Sequence, residues 1–82
     1  MRKSRIFLVI TFSETADAMA AEKLLAGRQI PGRIIPIPRQ LSAGCGLSWR
    51  TEPELEDQVK EALGTAGIRW QEMRSIPLWV SG

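Results

Sequence analysis

Ile6-Phe7-Leu8-Val9-Ile10 is the stretch on which the fold turns. Five consecutive branched or aromatic side chains pack well on a pleated surface, and their unbroken apolarity predicts a strand buried on both faces, at the centre of a sheet. Working outward, Ser13 or Thr15 offers a cap to a following helix, and Glu14 and Asp17 suit its positive first turn. Ala16, Met19, Ala20, Lys23 and Leu24 recur at three- and four-residue spacings, with Ala18, Ala21 and Leu25 widening the apolar side. Gly27 to Gly32 breaks that helix. Ile34, Ile35 and Ile37 then predict a short strand, which Pro36 and Pro38 confine to a sheet edge because proline lacks the ladder N–H.

Residues 39–45 read as a loop. Gly46 to Arg50 reads as a strand, with Leu47 and Trp49 on one face and Ser48 and Arg50 on the other. Thr51-Glu52-Pro53-Glu54 has the spacing of a capping box, and Leu55, Val59, Ala62, Leu63 and Ala66 form the stripe of the helix that follows. Gly67 ends it, and Ile68 to Ile76 predicts a last, more polar strand at an edge. The order strand, helix, strand, strand, helix, strand is that of a ferredoxin-like split β-α-β sandwich, an α+β fold with a four-stranded antiparallel sheet. Both halves share an echo, a helix exit followed by isoleucine: Gln29-Ile30 in one, Gly67-Ile68 in the other.

Composition limits the chemistry. The 82 residues are 44% hydrophobic and 24% charged, the balance of one folded domain spanning 1–82. A net charge of +2 with dispersed basic residues argues against nucleic acid as a partner. No apolar run is long enough to span a bilayer, and no signal peptide is evident, so a cytoplasmic protein that does not bind membranes is expected. One cysteine and no histidine exclude an internal disulfide and a Cys/His zinc site within a single chain, so no cofactor or metal is expected. Ser42 and Ser48 lack a histidine to activate them, and the acidic residues are most simply the first turns of helices. A conventional stand-alone enzyme is not expected.

The segment Pro36 to Arg50 carries the most specific signal. Together with Ile10-Thr11-Phe12 and Gly32-Arg33-Ile34-Ile35-Pro36, its Cys45-Gly46-Leu47 run followed by Arg50 resembles the Se/S-carrier-like family, also described as a domain of unknown function. The resemblance extends from the first strand through the last. Two positions depart from it: Gln29 stands where the family often has glycine, and Trp49 where a small apolar residue is typical. The resemblance implies a sulfur or selenium carrier or relay accessory protein, with donor and acceptor proteins as partners.

Independently of that resemblance, Cys45 is the only side chain that can readily hold sulfur or selenium covalently, and Gly44 and Gly46 permit close approach of a partner thiol. In this topology the first helix begins at the same end of the sheet as the Cys45 loop. Arg39 and Arg50 are supporting candidates for an anion or a donor protein, although solvated charge or structural pairing explains either one equally well. The alternative is a noncatalytic interaction module in which Cys45 merely packs, a common role for a free cysteine. Trp49 and Trp70 are read as core. Trp79, in a Leu78-Trp79-Val80 tail beyond the last strand, is read as the contact of a homodimer that covers the helix-free side of the sheet.

Overall fold

A computed structural model describes residues 2–41 and 44–81, and Ser42 lies outside them. The elements are β1 (Arg2–Thr11), α1 (Thr15–Gly27), β2 (Arg33–Pro36), β3 (Leu47–Thr51), α2 (Glu56–Ala66) and β4 (Glu72–Ser81). A single turn of 3₁₀ helix at Pro53–Leu55 leads into α2. The strands form one sheet in the order β2-β3-β1-β4, every neighbouring pair antiparallel. This is the expected ferredoxin-like α+β sandwich, with the proline-bearing strand at an edge; Phe7–Ile10 are buried in the inner strand as expected, whereas Ile6 is 49% exposed. Ile37 donates its N–H to the Gly46 carbonyl at 3.0 Å. By alternation, the N–H that Pro36 lacks falls on the free edge, where no ladder bond is lost.

The two faces of the sheet are covered differently. On one, Ile10, Phe12 and Trp49 pack beneath Ala18, Ala21 and Leu25 of α1 and Val59, Ala62 and Leu63 of α2. On the other, Phe7, Val9 and Ile76 are covered by Leu41, which a turn closed by Leu41 N–H to Pro38 O (3.1 Å) lays across the sheet. Gln40 extends this strap to β4 by donating from Nε2 to the Pro77 carbonyl at 3.1 Å. The helix-free face is thus partly closed by the chain itself.

Several sequence expectations are corrected. The α1 face that turns inward carries Ala18, Ala21 and Leu25, and Met19 is 50% exposed. Neither capping expectation holds. Residue Glu14 is the N-cap of α1 without a side-chain bond, while Ser13 Oγ donates to Gln71 Oε1 at 3.4 Å. Thr51 ends β3, and its hydroxyl donates to the Pro31 carbonyl. The last strand begins at Glu72 and continues through Pro77 to Ser81, so Leu78-Trp79-Val80 is strand and not a surplus tail. Pro77 is tolerated because β4 is an edge strand, its carbonyl turned away from β1 toward Gln40. Trp49 is buried at 1% exposure as expected, whereas Trp70 is 39% exposed and does not close the core.

Beyond the Leu8–Thr51 pairing that ends its contact with β3, β1 continues toward its start as a two-stranded ribbon with β4 alone.

The echo between the halves is a repeated helix ending. At the end of α1, Gln29 N–H donates to Ala26 O and Ile30 N–H to Leu25 O; at the end of α2, Gly67 N–H donates to Gly64 O and Ile68 N–H to Leu63 O. Both are Schellman endings, which place one residue in the left-handed region. Those residues are Gly67 (φ 70°) and Gln29 (φ 61°). Glutamine there suffers a Cβ clash that glycine avoids. A Gln29→Gly protein should therefore gain about 0.5–1 kcal/mol, the relief of strain exceeding glycine's entropic cost. Thermal and urea unfolding should show the midpoint rising; a fall would mean that the Gln29 side chain contributes more than its backbone strain removes.

Candidate functional site

The residues 44–46 form a bend immediately before β3, on the connection that returns from the strap. A Cβ added at Gly44 would stand 2.7 Å from the Ser13 carbonyl oxygen, so only glycine lets this bend lie against the segment leading into α1. Gly46 follows with φ +74°, a conformation open to few other residues. Between them, Cys45 is half-buried and its side chain rests on the helix-side core. Its sulfur accepts the Leu47 N–H at 3.4 Å and lies the same distance from the Leu47 carbonyl, to which the thiol can donate. The thiol is therefore oriented by the first residue of β3 and sits beside the entrance to α1, the end of the sheet expected for it.

The two arginines proposed to support it lie elsewhere. Arg39 is in the strap on the opposite face, where it borders a groove with Gln40, Leu78 and Trp79. Arg50 is three residues beyond Leu47 along β3, roughly 10 Å at strand rise, and alternation turns it to the helix-free face. There its guanidinium carbon is 4.3 Å from the centre of the Phe7 ring. The loop path and the pleat separate both arginines from the thiol. Trp79 is on the β1–β4 ribbon, 71% exposed. Ser48 is buried and its hydroxyl donates across the ladder to the Ile35 carbonyl of β2 at 3.4 Å.

Sequence reasoning passed over Arg5, Arg33 and Phe7, which the fold gathers around Arg50. Alternation alone gives a side chain's face within its own strand. The register that makes Arg33 the direct partner of Arg50 is set by a loop whose path local patterns do not encode.

A family model described as "Putative Se/S carrier protein-like" matches residues 7–75, from the inner strand into β4. The chain belongs to this Se/S-carrier-like family. Neither the curated proteins nor the solved structures contain a match to it. Membership associates the chain with sulfur or selenium carriage in general. Within this Se/S-carrier-like chain, the ferredoxin-like sheet and the single cysteine agree with the family description. No described helix is long and apolar enough to cross a membrane.

Proposed function

We propose that the protein carries sulfur or selenium on Cys45, as a persulfide or selenyl-sulfide, and passes it from a donor protein to an acceptor. The observation that carries this reading is the position of the chain's only thiol. It stands half-buried in a bend before β3, between the exposed Gly44 and Gly46. Family membership supports the same chemistry. In loading, the Cys45 thiolate attacks the terminal sulfur of a donor persulfide. The new Cys45–S bond forms as the donor's S–S bond breaks, and the donor leaves as its own thiolate. The terminal sulfur is then held as a persulfide for attack by an acceptor thiolate. Gly44 and Gly46 contribute by keeping side chains away from that approach, and the Leu47 N–H orients the sulfur.

Incubation with glutathione persulfide, followed by intact-mass measurement and peptide localisation, should show one added sulfur atom on the peptide containing Cys45. The Cys45→Ser protein should show none. A folded protein whose Cys45 reacts with an alkylating reagent yet acquires no sulfur would overturn the carrier reading in favour of an interaction module with a packing cysteine.

A further inference from the structure

On the sheet face away from the helices, Arg33 and Arg50 are direct cross-strand partners. Like charges placed opposite one another destabilise a sheet, so the pairing is not explained by the fold. Arg5 joins them: its guanidinium carbon is 4.9 Å from the centre of the Phe7 ring, which Arg50 also approaches. The carboxylate among them is Glu52, already engaged by Arg5 in an ion pair. Two positive charges are left uncompensated. Burial, and then the repulsion of Arg33 and Arg5, hold the Arg50 guanidinium below its ordinary pKa, with Glu52 acting in the opposite sense. A bound anion would relieve each of those repulsions.

Arg33 and Arg50 border a cleft of about 640 Å³, whose apolar wall includes Phe7, Ile35 and Leu78. That volume lies in the range of small-molecule sites. A smaller recess continues past Arg33 and Arg50 toward Glu52. Guanidinium forks match the oxygens of phosphate and carboxylate in pairs of parallel hydrogen bonds. We infer that this cleft binds a small organic phosphate monoester, its phosphate between Arg33 and Arg50 and its apolar portion against Ile35 and Leu78. A phosphate monoester carries close to two negative charges at neutral pH, matching the uncompensated pair; a carboxylate carries one. The site is on the opposite face from Cys45 and does not depend on the carrier reading.

Calorimetric titration at low salt with phenyl phosphate, inorganic phosphate and benzoate tests this. Phenyl phosphate should bind saturably and at least about tenfold more tightly than the other two, since inorganic phosphate lacks the ring and benzoate lacks the second charge. Arg33→Gln and Arg50→Gln should each weaken it about tenfold or more without lowering the melting midpoint, because each removes a like-charge contact. Arg33→Lys, which keeps the charge but not the fork, should fall between them and the native protein. Cys45→Ser should bind as the native protein does. Absence of saturable binding at millimolar phenyl phosphate, or equal affinity in the native and Arg→Gln proteins, overturns the site. Equal affinity for all three probes overturns the assignment to a phosphate monoester.

Discussion

Replacing Trp49 with alanine should cost about 3–5 kcal/mol, the range for removing a large buried aromatic side chain. Trp49 is the largest fully buried side chain described. It lies on an inner strand between Ile10 of β1 and Ile34 of β2, and it packs into the core shared with both helices. Its ring reaches Gly32 in the connection after α1, so truncation removes contacts with that connection as well as with the helix-side core. Small domains bury a limited fraction of their surface and have total stabilities near the lower end of about 5–15 kcal/mol. The variant should therefore populate unfolded chain measurably in water. Urea unfolding followed by far-ultraviolet circular dichroism gives the comparison; a loss below about 1 kcal/mol would show that the site relaxes around the truncation.

Gly32→Ala should destabilise by about 1–3 kcal/mol through overpacking. An added Cβ would run into the Trp49 ring at Cζ2 and would stand 2.6 Å from the Arg50 carbonyl oxygen. The carbonyl belongs to β3 and can yield only if the strand shifts. The two positions should consequently be coupled. In a Trp49→Leu background, which keeps an apolar side chain while removing the ring, Gly32→Ala should cost less than it does in the native protein. The difference should lie within the range of about 0.5–3 kcal/mol seen for residues in contact. Additivity within about 0.5 kcal/mol would separate the glycine requirement from the tryptophan and assign it to the carbonyl alone.

The legible parts of this chain were those written by period and punctuation. Five apolar residues identified the inner strand, prolines identified the β2 edge, and Gly67 identified the end of α2. Phase was harder to read in α1, where alanines at 16, 18, 20, 21 and 26 make several faces nearly equivalent and tertiary contact selects the one with Leu25. The caps were misread because Ser13 and Thr51 have hydrogen-bond partners remote in sequence, Gln71 and Pro31. Pro77 resembles a strand stop until β4 is known to be an edge. At the candidate site, the accessible bend around Cys45 follows from its glycines, and its place beside α1 follows from topology. The separation of Arg50 from it follows from the pleat and its place along β3, whereas that of Arg39 does not, since it depends on the strap crossing the opposite face.

The β1–β4 ribbon extends past the reach of β3, so the main chain of β1 from Arg2 to Phe7 has a strand on one side only. Such a rim is a template on which further chains can add edge to edge and grow into fibres. Lys3 and Arg5 stand exposed along it. If two copies joined antiparallel at this rim, their basic side chains would be brought together in the new ladder, where like charges repel. The ribbon thus carries its own barrier to polymerisation, written into the side chains of the strand that would seed it.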